Sequence, residues 1–496
     1  MSTNLLTGLS WALFFSLTVN GVTAQMPERA ANKQAPTGGA TTQALTSVPA
    51  DQVLTLKQAV QTALNNYGTI RAKTNYVKAS QANVKETRRE YLPDFNISAQ
   101  NDYGTVNSQY GPLAAYKVAG VGSSGPVFAN QNWNAAFGAL YLTNVNWDFF
   151  QFGRAKEKTK VAQTVLVRDQ GDLDQERFQQ GIRVSAAYLN LLAAQKLSIS
   201  QQHNLERAQA FQQVVVARAK NGLNPGVDSS LANAEVSNAR IALTNAIEFQ
   251  QEQANQLAQL MQVMAPPQGD FNLDSLFVSK IPTALGNAPT LPLNNHPLLK
   301  FFQERINVSD EQARYLKTFN YPTFSLFGAF QDRGTGFGYN YGTQFPDAYT
   351  GNYLKGVSFG RANYLIGVGM VWNITNPLRV HQQVVAQQFT SQGLQEEYGL
   401  ISQQLQAQLV LSETRIKNSL DNYREAPIQV KAASDAYTQK EVLYKNGLAT
   451  IVDVTTASFI LNQAETERDI AFNNVWQALL FKAASSGDFG LFINEF

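Results

Sequence analysis

Two periodicities alternate along this chain, and the alternation runs through twice. Apolar residues fall at helical spacing from Leu54 to Glu90, with a break expected near Asn65–Gly68. Tyr91-Leu92-Pro93 stops that pattern, because a proline pushes the residue before it out of the α region. Phe95-Asn96-Ile97-Ser98-Ala99-Gln100 then alternates with period two, which predicts a strand. A Gly/Ser/Tyr-rich stretch from about Gly104 to Asn132 reads as a loop. A second alternating run puts Phe137, Ala139, Tyr141, Thr143, Val145 and Trp147 on one face. Beyond Gly153-Arg154 the helical period returns and holds without a proline to Lys220, a helix roughly 100 Å long at about 1.5 Å per residue. A return helix is expected from about Asp228 to Met264.

The second pass follows a linker marked by Pro266, Pro267, Pro282, Pro289 and Pro292. Asn295-His296-Pro297 opens a helix to Phe319, and Tyr321-Pro322 ends it, at an offset of 229 (322 − 93) from the first such stop. Phe324, Leu326, Gly328 and Phe330 alternate as Phe95, Ile97, Ala99 and Asn101 do. A Gly/Tyr-rich loop covers about Gly334 to Gly360, and Tyr364, Ile366, Val368, Met370 and Trp372 make the next apolar face. Opposite them lie Leu365, Gly367, Gly369 and Val371. Trp372 and Arg379 follow Trp147 and Arg154 at a shared offset of 225 (372 − 147 and 379 − 154). Another long helix and a final one, ending near Ala484, complete the pass. A self-similar period of this kind signals a repeated structural unit.

Each half turns on a short tip. The first reads Ala219-Lys220-Asn221-Gly222-Leu223-Asn224-Pro225-Gly226-Val227-Asp228, the second Tyr444-Lys445-Asn446-Gly447-Leu448-Ala449-Thr450-Ile451-Val452-Asp453. Glycine suits a left-handed position just past a helix end, and aspartate suits the N-cap of the next helix. The expected divisions are a signal peptide over 1–24, a flexible leader over 25–53, a first repeat over 54–264, a linker over 265–294, a second repeat over 295–484 and a tail over 485–496. The signal peptide rests on the uncharged apolar run Leu5 to Val22 and the small residues Val22-Thr23-Ala24; a single membrane anchor is the other reading of that run. Pro- and Thr-rich composition carries the leader.

Composition narrows the chemistry. Charged residues make up 15% against about 25% in ordinary globular domains, and hydrophobic residues 44%. The deficit is filled by Gln, Asn, Ser, Thr and Ala, as suits helices packed on one another and on water. A net charge of +2 gives no argument for nucleic acid. With no cysteine there is no disulfide and no thiolate site, and His203, His296 and His381 lie at no metal-ligand spacing. No Ser/His/Asp constellation and no phosphate loop is found, so an enzyme is not expected.

The architecture points elsewhere. Strands of about ten residues with one apolar face and aromatic ends suit a membrane β-barrel; the edge of a soluble β-sandwich is the plainer reading. Two hairpins cannot close a useful barrel, and open sheet edges in lipid leave backbone groups unpaired. Membrane-spanning strands would therefore require several copies of the chain. A helix near 100 Å must pack along neighbours or line a cylinder. A secreted or surface coiled-coil scaffold or adhesin without a pore is the alternative.

The paired tips, the strand-start prolines Pro93 and Pro322, and the exits Trp147 to Arg154 and Trp372 to Arg379 resemble those of the TolC-like outer-membrane efflux and secretion channels. The likeness covers roughly Leu54 to Ala484. It implies an α+β membrane protein: a homotrimer with a twelve-stranded outer-membrane β-barrel continued into a long periplasmic α-helical barrel, built from an internal duplication. It implies the exit duct of a tripartite efflux pump or type I secretion system, with outer-membrane lipid around it. Its partners would be a periplasmic adaptor (membrane fusion) protein and an inner-membrane transporter of RND or ABC type, with no cofactor. The resemblance makes Asp453 and Asp228 candidates for a periplasmic pore constriction. Asn221, Gly222, Leu223, Asn446, Gly447 and Leu448 become candidates for adaptor docking. A second acidic position of the family is Thr456 here, and a tip arginine of some members is Ala449, so a thinner acidic ring and no arginine lock are implied. A simple N-cap role stands beside the pore role for both aspartates. For Arg154 and Arg379 a site near lipid phosphates stands beside a solvated one. For Trp147 and Trp372 an interfacial girdle stands beside packing at the strand–helix junction.

Overall fold

The computed structural model describes residues 53–107, 112–116, 119–122, 128–222, 225–264, 271–283 and 292–496. The expected signal peptide, nearly all of the leader, Leu223, Pro266, Pro267 and Pro289 lie outside the described residues. The chain divides into units Met1–Ala44 and Leu45–Phe496, and all described residues belong to the second.

Thr55 starts helix α1 (Leu56–Asn66) by a capping box: its hydroxyl accepts from the Gln58 amide while the Gln58 side chain accepts from the Thr55 N–H. The break falls at Tyr67, which is extended, and α2 (Gly68–Arg89) follows. Strand β1 (Asp94–Thr105) begins on the residue after Pro93. Next come β4 (Ala135–Phe150), α3 (Arg154–Lys220) and α4 (Gly226–Met261). The second pass gives α5 (Pro297–Lys317), β5 (Thr323–Thr335), β6 (Arg361–Val371), α7 (Asn376–Lys445) and α8 (Ile451–Ser486), then a last turn, α9 (Gly490–Ile493). Both expected loops hold extra elements. A small hairpin, β2 (Pro112–Tyr116) with β3 (Ala119–Gly122), lies in the first, and a five-residue helix, α6 (Tyr353–Val357), lies in the second. Segments of four or five residues are too short to display a period, so only their glycines and tyrosines register in the sequence.

The four long strands form one antiparallel sheet in the order β1-β4-β5-β6, leaving β1 and β6 as edges. The two halves keep step throughout. Asp94 pairs with Asn146, and Thr323 pairs with Val371. Thr323 stands to Asp94 as Pro322 stands to Pro93, and Val371 stands to Asn146 as Trp372 stands to Trp147. Buried Ile70, Val77, Ser80 and Val84 of α2 correspond at the first offset to buried Leu299, Ile306, Ser309 and Ala313 of α5. Buried Ala232, Val236, Ala239 and Ala246 of α4 correspond at the second to buried Ala457, Leu461, Ala464 and Ala471 of α8.

Small buried side chains explain how the long helices hold together. On α8, Val454, Ala457, Leu461, Ala464, Ala471, Val475 and Ala478 fall at steps of three, four or seven. That seven-residue repeat keeps one stripe facing a neighbour and winds the pair left-handed. Pro427 lies inside α7 and removes one helix hydrogen bond there. The largest core sits halfway along α3. Val184, Tyr188, Leu191 and Leu192 meet Leu56, Ala59 and Ala63 of α1, Leu257 and Met261 of α4, and Trp476 and Leu479 of α8. Linker residues Phe271, Leu273 and Val278 join it, as does Phe492, so both the linker and the expected tail are built into the fold. The Tyr188 hydroxyl donates to the Leu54 carbonyl at 2.8 Å, and burial pushes its pKa up.

Trp476 is the keystone of that core, with ring contacts to Phe277 at 4.8 Å, Phe496 at 5.0 Å and Phe492 at 6.5 Å. Trp476→Ala is expected to destabilise the fold by roughly 3–5 kcal/mol. Thermal unfolding in detergent would read this as a lowered midpoint with the far-ultraviolet helical signal unchanged before the transition.

Candidate functional site

Three places carry the candidate residues: the sheet, the strand-to-helix junctions and the tips. Paired residues share a face of the sheet, so the registers sort its side chains. Phe95, Ile97, Tyr103, Phe137, Tyr141, Val145, Trp147, Phe324, Leu326, Phe330, Tyr364, Ile366, Val368 and Met370 share one face. The other carries Asp94, Asn96, Ser98, Gln100, Asn144, Asn146, Thr323, Ser325, Gln331 and Arg361 together with Leu140, Leu142, Phe327, Leu365 and Val371. Tyr364, Ile366, Val368 and Met370 on edge strand β6 are each more than half exposed. One mainly apolar, aromatic-rich face and one mixed face, on strands of 11 to 16 residues, suit a barrel wall. Among the described residues no helix is long and apolar enough to cross a membrane.

At the junctions β1 and β5 start directly after Pro93 and Pro322. Trp147 and Trp372 play matching parts. The Trp147 indole N–H donates to the Tyr91 carbonyl at 2.8 Å, and that of Trp372 to the Asn320 carbonyl at 3.1 Å. Each thereby satisfies a carbonyl two residues before the proline, and each indole is fixed to its junction by one edge.

Arg154 is anchored at its junction by the end of α5. Its side chain is half-buried. It donates to Thr323 Oγ1 at 3.2 Å and to the Tyr321 and Thr318 carbonyls at 3.3 and 3.5 Å, and lies 4.5 Å from the centre of the Phe319 ring. The physical reason lies in the helix ends. The start of α3 offers only amide donors, whereas the end of α5 offers unpaired carbonyls and the negative pole of its dipole. The turn leading there is strained: Phe152 has φ +49° and Gly153 φ +86°. Phe152 stacks on Tyr321, ring centres 5.2 Å apart, which holds it in a conformation costing on the order of 1 kcal/mol or more. Arg379 has no such clamp. It is exposed in the first turns of α7, and its side chain has no hydrogen-bond or ion-pair partner among the described residues.

At the tips the glycines take the left-handed positions. Asn221 and Asn446 are C-caps, followed by Gly222 at φ +70° and Gly447 at φ +75°. The second tip is a full Schellman motif: Leu448 N–H donates to the Leu443 carbonyl at 2.8 Å and Gly447 N–H to the Tyr444 carbonyl at 2.9 Å. Leu448 itself points out, 74% exposed. The aspartates are not N-caps, which corrects that reading. Each is the third residue of its helix; the caps are Pro225 and Thr450. Pro225 has no side-chain acceptor, and at the second tip Thr450 and Asp453 form a capping box, with Thr450 N–H to Asp453 Oδ2 at 2.9 Å and Asp453 N–H to Thr450 Oγ1 at 3.2 Å. The Thr-x-x-Asp spacing is the sequence signal for this.

The remaining oxygen of Asp453, Oδ1, accepts from Lys440 Nζ at 3.2 Å. The Thr450 amide, then the Thr450 hydroxyl and Lys440, hold the Asp453 pKa down at about 2. Asp228 accepts from the Tyr444 hydroxyl at 3.4 Å. Tyr444 is buried against Phe211, Val215, Ala232, Ile451 and Val454, and Arg218 donates to the Lys445 carbonyl beside it. Tyr444 and Arg218 thus link the two tips, and Lys440 ties α7 to α8 within the second, roles that no sequence motif marks.

Residues 59–262, about two-fifths of the chain, match the family model described as outer membrane efflux protein. No curated protein matches the chain by sequence. Among solved structures, the outer membrane protein VceC from Vibrio cholerae is 17% identical, over 87% of this chain and 96% of its own, with a TM-score of 0.67. The Campylobacter jejuni CmeC outer membrane channel is 13% identical over 87% and 85%, with a TM-score of 0.68. The open state of the Neisseria gonorrhoeae MtrE outer membrane channel is 15% identical over 87% and 89%, with a TM-score of 0.66. At these identities the likeness speaks for the fold.

The capping box makes a pH prediction. A carboxylate with a depressed pKa stabilises the folded tip fully above its unfolded value near about pH 4 and loses that effect as pH falls through about 2. Amide hydrogen exchange over 451–454 is therefore expected to stay slow from neutral pH to about pH 4. Asp453→Asn should exchange faster at neutral pH, and its difference from wild type should close near about pH 2.

Proposed function

Given that residues 59–262 match the outer membrane efflux protein family and that the chain takes the TolC-like channel fold, we propose that it is the outer-membrane exit duct of a tripartite efflux pump or type I secretion system. It lies in the outer membrane with its long helices in the periplasm. The observation that carries this reading is the sheet with one mainly apolar, aromatic-rich face and two unpaired edges. An open edge in lipid strands backbone donors and acceptors at several kcal/mol or so each, so neighbouring copies must pair them. Three copies of four strands make a closed wall of twelve. The shared offsets of registers and buried positions support an internal duplication as the origin of the two halves. A pore-free scaffold or adhesin leaves the exposed apolar face of β6 without a purpose.

The helices form the periplasmic tunnel, with the tips at its entrance. Exposed Val227, Leu448 and Val452 give the tips an apolar surface on which a periplasmic adaptor docks, beside Asn221, Gly222, Asn446 and Gly447. Asp453 narrows the entrance, with Asp228 beside it. Because Lys440 shares the Asp453 carboxylate and position 456 is threonine, the acidic ring is weak. Trp147 and Trp372, bound at one edge to the junction, turn their exposed faces to the lipid boundary. Energy comes from an inner-membrane transporter of RND or ABC type, so the duct needs no cofactor.

Two measurements test this reading. Purified protein in planar bilayers is expected to conduct, and Asp453→Ala is expected to raise conductance or change its dependence on cations; a chain that inserts no channels refutes the duct. Gly222→Val with Gly447→Val forces a β-branched residue to positive φ, about 1 kcal/mol or more of strain at each tip. In cells lacking the native chain, that double variant should form heat-modifiable oligomers yet fail to restore export. Full export by the variant would remove the tips from docking.

A further inference from the structure

The repeat offsets say what the two open edges expect. Inside one chain, β4 and β5 meet in a finished seam, with Trp147 opposite Leu326, Val145 opposite Gly328 and Thr143 opposite Phe330. The offset that carries Trp147 to Trp372 carries β4 onto β6, and the offset that carries Pro322 back to Pro93 carries β5 onto β1. Both hairpins obey these offsets, and so do the buried stripes of the helices. Edges β6 and β1 are thus the two halves of the same seam without their partners. The transferred register sets Trp372 opposite Ile97, Met370 opposite Ala99 and Val368 opposite Asn101 of a neighbouring copy.

The finished seam is closed by Arg154, which sits on Thr323 and on the carbonyls ending α5. Its counterpart is Arg379. The counterparts of its partners are Asp94 in place of Thr323, the Arg89 and Leu92 carbonyls in place of those of Thr318 and Tyr321, and Glu90 in place of Phe319. The substitutions change the chemistry in one direction: a hydroxyl and a ring become two carboxylates. Glu90 is already paired with Lys158 in its own chain. Asp94 is exposed, and its carboxylate, like the Arg379 guanidinium, has no partner among the described residues. Arg88 and Arg89 also lie near that turn, at the end of α2, so Asp94 offsets their charge toward an incoming cation.

Resting on the oligomeric duct proposed above, we infer that Arg379 of one copy pairs with Asp94 of the next at the strand-to-helix junction. The seam within each chain is thus closed by an arginine on neutral groups, and the seam between copies by an ion pair.

The cysteine-free chain allows a direct test. Asp94→Cys and Arg379→Cys are combined in one chain, and also co-expressed as two single variants, then treated in membranes with a short bis-thiosulfonate linker. Covalent trimers from the double variant and covalent dimers from the mixture, each absent with one variant alone, support the pair. Absence of these products overturns it. Met370→Cys with Ala99→Cys reports separately on the oligomer: trimers linked there without links at 379 and 94 refute the ion pair and leave the duct standing, whereas failure at both sites in a monomeric protein refutes both. In a further arm, Asp94→Arg or Arg379→Asp alone should lower the temperature at which the oligomer dissociates in detergent, and the two together should restore it. A combination no better than the worse single variant overturns the pairing.

Discussion

Backbone hydrogen bonding at two sheet edges governs everything else in this molecule. Within β1-β4-β5-β6 the inner strands are paired on both sides, but β1 and β6 each present a free row of donors and acceptors. Water could satisfy such a row, and lipid cannot. The apolar face running across all four strands makes water the wrong surroundings. The proposed closure by identical neighbours rests on those two facts together. The helices beneath inherit it, since each long hairpin continues from a strand of the wall.

The helical part meets a different constraint with the same economy of means. A helix such as α3, with 67 residues, cannot fold around a core of its own. It is held by stripes of alanine and small aliphatic side chains on α4 and α8, and by one larger core at its middle. Charged contacts bridge these helices at separate points. One is the Arg207–Glu465 pair between α3 and α8, with nitrogen–oxygen distances of 3.2 and 2.8 Å. Low charge and high alanine content are thus two sides of one packing solution.

Much of this was legible in the chain. The period-two runs at Phe95, Phe137, Phe324 and Tyr364 locate all four long strands, and Gly222 and Gly447 locate both turns, because each feature is local and repeats. Features that depend on contact across long stretches of sequence were not legible. Nothing beside Arg154 announces that its charge is met by the end of α5. Nothing beside Tyr444 announces the Asp228 carboxylate. The aspartates at the tips take the third helical position because Pro225 and Thr450 hold the caps, a distinction that a preference for acidic residues at helix starts does not make.

The central core has a consequence for how the protein comes into being. It joins Leu56 and Ala59, near the beginning of the described chain, to Trp476 and Phe492 near its end. Contacts of such sequence separation form late and slowly. The core that α1, α3, α4 and the linker begin is therefore completed only when Trp476 to Phe492 have been synthesised, so the two ends of the described chain are locked by one and the same set of contacts.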